Sequence, residues 1–241
     1  MMVNKKNHNT GGNFKQALNQ YVREVATIYS GGNYSEKAFR TPLENLLNAI
    51  KPSADYEIRQ EVTSASAKIG IPDYTVTYQG KTIGFIETKN IGANLDNIIS
   101  SDQIARYRSA VNNILLTDYK RFVLLQSSSI DCPLFSLGSL SASKPKIHQT
   151  MMDVLEELFN VFFSYNAPLI ESPEILAKEL AEKAKLVKWY ALQELESGTP
   201  CNAIVNYSRD LHFLMPDADN EQTADAYAQT ITYGLFLAKL H

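Results

Sequence analysis

Apolar residues recur at helical spacing along Phe14, Leu18, Tyr21, Val22, Val25 and Ile28, and Ser30-Gly31-Gly32-Asn33 ends the helix that they predict. A second helix is predicted from an N-cap at Ser35, with Ala38, Phe39, Leu43, Leu46, Leu47 and Ile50 as its buried stripe. Pro42 is expected to kink it, and it stops before Pro52. The period then changes. Tyr56 to Thr63, Asp73 to Tyr78 and Thr82 to Thr88 read as strands, the last two joined as a hairpin at Gln79-Gly80-Lys81. Leu95, Ile98, Ile99, Ile104, Tyr107 and Val111 predict one helix over 94–111, followed by short apolar strands at Asn113–Thr117 and Arg121–Gln126. The order α-α-β-β-β-α-β-β describes a mixed α/β domain around a central sheet.

Ser127 to Gln149 reads as a loop and a domain boundary, since Ser, Gly and Pro interrupt every period there. Beyond it Met151 to Tyr165, Pro173 to Ser197 and Glu221 to Leu240 predict long helices, with Phe159, Phe162, Phe163, Trp189 and Tyr190 in their core. The chain thus divides into a mixed domain, 1–150, and an α-helical region, 151–241. Its 241 residues, 44% hydrophobic and 20% charged, place it among globular proteins. No apolar run approaches the roughly 18 residues of a membrane span, and the polar start lacks an apolar signal region, so a cytoplasmic protein is expected. Cys132 and Cys201 read as separate buried thiols, and His8, His148, His212 and His241 are too scattered for a metal cluster or a triad.

Charge changes the picture when the halves are separated. Residues 1–150 carry 17 Lys and Arg against 12 Asp and Glu, whereas the remainder carries 6 against 14. A basic front and an acidic back imply that a polyanion would meet only the front, or that two solvated surfaces merely differ.

The candidate chemistry lies in Ile71-Pro72-Asp73 and, after thirteen intervening residues, Glu87-Thr88-Lys89. The two-residue period puts Glu87 and Lys89 on one face of their strand and Thr88 on the other. A turn centred on Gly80 sets Asp73 opposite Glu87, roughly 5 Å apart at Cβ. Two carboxylates so close repel unless a cation lies between them, and hard oxygen donors favour magnesium or manganese over zinc. Such a centre activates water and stabilises charge on a phosphodiester, with Lys89 orienting the water or neutralising the developing phosphate charge. The plain alternative is a solvent-facing Glu87–Lys89 ion pair, against which Ile83, Phe85 and Ile86 make the strand substantially apolar.

Pro-Asp, a spacer and Glu-x-Lys across a hairpin resemble the PD-(D/E)XK nuclease superfamily, whose core order α-β-β-β-α-β matches these elements. Gln103-Ile-Ala-Arg-Tyr107 is similar to the Gln-x-x-x-Tyr pattern that the RecB-like and restriction branches place after the lysine strand. Ser35-Glu36-Lys37-Ala38-Phe39-Arg40-Thr41-Pro42 resembles the nuclease domain that opens single-chain restriction-modification enzymes of types ISP and IIG. Leu115-Leu-Thr-Asp-Tyr119 and Asp225 to Gly234 look like further segments of that family.

The resemblance implies a restriction-endonuclease-like core followed by a helical coupling region, and a Mg2+-dependent endonuclease, with Mn2+ as substitute, acting on double-stranded DNA. It gives Asp73, Glu87 and the Thr88 carbonyl as metal ligands and Lys89 as the catalytic lysine. Glu36, with Glu44 as the competing upstream acid, joins Gln103 and Tyr107 in a second tier. Arg40, Lys68, Arg106 and Arg108 would meet phosphate. No Asn-Pro-Pro-aromatic motif, Gly-rich methyl-donor loop or Walker A occurs: Thr75 stands where Gly80-Lys81-Thr82 would need the first Gly. Methyltransferase, translocase and specificity modules would therefore come from outside this sequence. A silent DNA-binding or protein-interaction module with the same fold is the alternative.

Overall fold

The structure, a computed structural model, describes residues 10–60, 72–140, 147–166, 172–197 and 200–240. In chain order its elements are α1 (Thr10–Ser30), a 3₁₀ turn (Glu36–Phe39), α2 (Arg40–Ile50), β1 (Tyr56–Gln60), β2 (Tyr74–Tyr78), β3 (Lys81–Thr88), α3 (Leu95–Ile99), α4 (Asp102–Ala110) and β4 (Ile114–Thr117). They continue with β5 (Arg121–Leu125), β6 (Ser129–Pro133), α5 (Leu137–Leu140), α6 (Gln149–Phe163), α7 (Pro173–Glu196), α8 (Asn202–Leu214) and α9 (Asn220–Leu240). The fold is α/β, with a six-stranded mixed sheet in the order β1-β2-β3-β4-β5-β6. Only β3 and β4 run parallel.

Two compact units divide the chain, and neither follows a cut at residue 150. The first takes Met1–Gln60, Asp73–Ser100 and Asn113–Asn166; the second takes Glu61–Pro72, Ser101–Asn112 and Ala167–His241. Helix α6 packs within the first unit because it is hydrophobic along one face: Leu155, Leu158, Phe159, Phe162 and Phe163 join a core with Leu18, Tyr21 and Val25 of α1 and Ile86, Leu115 and Phe122 of the sheet. That apolar area has more to bury against the sheet than a boundary would allow it.

Several predicted elements shift for local reasons. Pro42 does not kink a helix, because α2 begins at Arg40 and a proline in the first turn has no hydrogen bond to break. Ser35 precedes the 3₁₀ turn in extended backbone but makes no side-chain cap. The single helix over 94–111 is two, each with its own N-cap: Asn94 accepts from Asp96 and Asn97 N–H, and Ser101 accepts from Ile104 N–H. β6 and α5 lie where a loop was expected; β6 is an edge strand whose only buried residue, Cys132, left no alternation to read. The first strand ends at Gln60, and the expected extension to Thr63 lies outside the described residues.

The β2–β3 register is the structural event that matters most. Gln79 and Gly80 both have positive φ, 49° and 76°, so the hairpin closes through a two-residue primed turn with Tyr78 opposite Lys81. Thr77 then faces Thr82 but Val76 faces Gly84, leaving Ile83 as the extra residue of a β-bulge. The bulge restores the offset that a Gly80-centred turn predicts, so Thr75 faces Phe85 and Tyr74 faces Ile86. Asp73, the next residue, is carried towards Glu87. Gly84 is required for this path: a Cβ there would lie 2.7 Å from Phe162 Cε2 and 2.8 Å from both Asn113 Nδ2 and Asn113 O. Buried Asn113 holds the crossing, donating to Ile83 O (2.8 Å) and Phe162 O (2.9 Å) while accepting from Gln126 (2.8 Å).

The second unit is helical among its described residues. Ser172 caps α7 and Pro173 occupies its first turn. A small core of Ala191, Ile204 and Ala224, with Leu192, Leu195 and Tyr227 against it, joins α7, α8 and α9. The short α8, which starts at Cys201 without a side-chain cap, carried no start signal in the sequence. Cys201 is exposed, contrary to expectation, whereas Cys132 is buried. No helix among the described residues is long and apolar enough to cross a membrane.

Candidate functional site

At the end of the β2–β3 hairpin the first unit gathers five charged side chains and a threonine. Thr88 donates to Asp73 Oδ2 twice, from its backbone N–H and from its hydroxyl, each at 2.7 Å. Asp73 Oδ1 accepts from Arg40 Nη2, which also lies 3.5 Å from Glu36 Oε1. The spacing of Glu36 and Arg40 by four residues puts Glu36 beside Arg40, and Arg40 reaches Asp73. On β3, Lys89 donates to Glu87 Oε1 at 2.7 Å, so the two share a face as the strand period requires. Thr88 therefore contributes a hydroxyl and an N–H, where the sequence suggested only its carbonyl.

The cluster is largely withdrawn from water: the side chains of Glu87, Arg40 and Asp73 are 5%, 12% and 18% exposed. Burial pushes the Glu87 carboxyl above the ordinary carboxylate range. Lys89 opposes that shift and the Asp73 charge adds to it. The register that sets Tyr74 opposite Ile86 carries Asp73, the next residue, to the level of Glu87.

Three further residues, unmarked in the sequence as site residues, complete the surroundings. With its amide oriented to satisfy both neighbours, Gln60 donates to Glu44 Oε1 and accepts from Arg40 Nη1, each at 3.1 Å. Glu44 thus binds Gln60 and borders Tyr74, while Glu36 faces Arg40. Tyr119 adopts a positive φ of 69° and donates from its hydroxyl to Glu36 O at 3.3 Å. Burial raises its phenol to about 12, with the adjacent Thr88 hydroxyl pulling the other way. Asp118 receives Gly92 N–H at 3.0 Å and anchors the segment that follows Lys89. The positive φ of a non-glycine was the one feature that could have flagged Tyr119, and it is invisible without the backbone.

The remaining expected residues lie elsewhere. Gln103 and Tyr107 belong to the second unit, on α4, where Gln103 donates to the Tyr107 hydroxyl at 2.8 Å and the Tyr107 side chain is buried. Arg106, expected at phosphate, lies in that unit with its guanidinium 3.8 Å from the centroid of the half-buried Trp189 ring. Arg108 is exposed in the last turn of α4. Arg40, also expected at phosphate, is instead inside the acid cluster. Lys68 and Ile71 lie outside the described residues.

Among the described residues no group of three or more His, Cys, Asp and Glu side chains is placed to hold a metal. The groups that could hold an ion there are the Asp73 and Glu87 carboxylates, with the Thr88 carbonyl that the sequence suggests. That donor set fits Mg2+ or Mn2+, which take one or two carboxylates and complete their shells with water and phosphate oxygens. Compared with protein-family models, curated proteins and solved structures, the chain finds no match in any of the three.

Proposed function

We propose that the chain is a Mg2+-dependent DNA endonuclease of the restriction class, built on a PD-(D/E)XK core and serving as the nuclease portion of a larger restriction-modification enzyme. One observation carries the reading: a bulged hairpin brings Asp73, Glu87 and Lys89 together in a largely buried cluster. Asp73, Glu87 and the Thr88 carbonyl would hold the ion, which supplies a water of lowered pKa and Lewis-acid stabilisation of phosphate charge. Thr88, donating twice to Asp73 Oδ2, fixes that carboxylate before substrate arrives. Glu87 holds the Lys89 ammonium in place, so positive charge stands ready where negative charge develops on phosphorus. Basic residues would take the phosphate backbone, and affinity for DNA falls as salt rises.

The test is nicking of supercoiled plasmid with Mg2+, Mn2+ or EDTA by the wild-type chain, Asp73→Ala and Lys89→Ala, together with Mn2+ calorimetry. Metal-dependent nicking lost in both variants supports the reading. Absence of both nicking and metal binding in the wild type overturns it. A second reading, a non-catalytic DNA-binding or protein-interaction module, draws on a different observation: both acids are already paired with cations from their own chain.

A further inference from the structure

We infer that Arg40 is an internal counter-ion that occupies Asp73 until a divalent cation displaces it; the inference rests on the metal-site reading above. Asp73 has one oxygen to offer. Its Oδ2 already accepts two hydrogen bonds from Thr88, one of them from the backbone, and both partners are fixed by β3. Its Oδ1 is bonded by Arg40 Nη2. A cation that draws on Asp73 therefore meets the guanidinium at the same oxygen, where two positive charges repel.

The arginine is built to let go. It grips Asp73 through a single nitrogen, without the paired fork by which arginine locks a carboxylate. Its Nε is buried with no hydrogen-bond partner, so the guanidinium is incompletely held. Glu36 Oε1 at 3.5 Å and Gln60 at 3.1 Å remain as partners once Asp73 is surrendered. The exchange keeps the acids neutralised in both states, so neither state leaves a buried carboxylate exposed to an unbalanced neighbour. Glu36 is then a positioning residue that receives Arg40.

Calorimetric titration of the full chain with Mn2+ tests this on the wild type, Arg40→Gln and Arg40→Lys, each checked for folding by thermal unfolding. Arg40→Gln is expected to bind Mn2+ about tenfold more tightly, within the usual span of coupling between linked sites. Arg40→Lys, which keeps the competing charge, should stay closer to the wild type than to Arg40→Gln. If the wild type binds Mn2+ and Arg40→Gln binds it equally or more weakly, the counter-ion role is overturned while the metal site stands. If neither binds, the metal-site reading falls and takes this inference with it. Should Arg40→Gln not fold, the Arg40 side-chain N–H resonance in ¹⁵N-labelled wild type decides: Mg2+ must shift it with the midpoint of the binding heat, and an unmoved resonance with heat present overturns the role.

Discussion

Two places in the first unit bury a carboxylate, and they do so with different partners. At the β4–β5 turn the Asp118 side chain has no exposure; it accepts from Gly92, Lys120 and Arg121 backbone N–H at 3.0, 3.4 and 2.9 Å, with Lys120 Nζ at 3.1 Å. At the hairpin end, Asp73 and Glu87 meet the side-chain cations of Arg40 and Lys89, and Thr88 gives Asp73 a backbone donor. Backbone donors cannot leave without unfolding the turn. Side-chain cations can swing away, so a carboxylate held by them remains available to a ligand. The first arrangement rivets a turn; the second is suited to exchange.

The largest expected effect separates these roles. Asp73→Asn should lower plasmid nicking by about 10²–10³-fold, the scale of removing one charge-stabilising group, with little change in thermal stability. A variant that nicks normally would move Asp73 to the structural side of the comparison. Asp118→Ala should instead lower unfolding free energy by about 3 kcal/mol in denaturant titration, because Lys120 and three backbone N–H groups lose a buried partner. A loss below 1 kcal/mol, the range of an exposed pair, would mean water reaches the turn.

The hairpin shows what the sequence could and could not disclose. Its Pro-Asp and Glu-x-Lys spacing placed Asp73 opposite Glu87, but through a Gly80-centred turn. The chain reaches that register by a tighter turn at Gln79-Gly80 and a compensating bulge at Ile83. Both follow from backbone preference and from the packing of Gly84 beneath Phe162 and Asn113, which no local pattern reports. Glu36 and Arg40 were readable as neighbours four apart, yet the meeting of Arg40 with Asp73 joins residues 33 positions apart. Gln60 and Tyr119 are also placed by tertiary structure alone. The helix pattern was legible in α1, α6 and α7, where apolar residues recur at helical spacing, and not in α8, whose start carries no side-chain cap.

The bulge provides the next test. Gly84→Ala should cost about 2 kcal/mol by forcing a methyl group against Phe162 and Asn113, the usual size of overpacking. It should also weaken Mn2+ binding in the fraction that stays folded, because relief of the clash displaces β3 and with it Glu87. Unchanged stability and metal affinity together would show that the crossing yields without moving the register.

The smallest effect is the sharpest on the comparison. Burial, joined by the Asp73 charge and opposed by Lys89, leaves Glu87 with a raised pKa in the folded chain. A carboxyl raised on folding binds its proton more tightly in the folded state, so its favourable contribution is complete at acid pH and is lost as pH rises through the folded value. The wild type therefore loses stability as pH rises through the folded value, and Glu87→Gln removes that loss. In EDTA, Glu87→Gln should melt above the wild type at pH 7, and the gap should close as pH falls below the ordinary carboxylate range. Lower melting of the variant at pH 7 would show that the Lys89 ion pair outweighs the burial. Glu87 would then be a rivet of the Asp118 kind, not a carboxylate kept at a cost to stability for what it can bind.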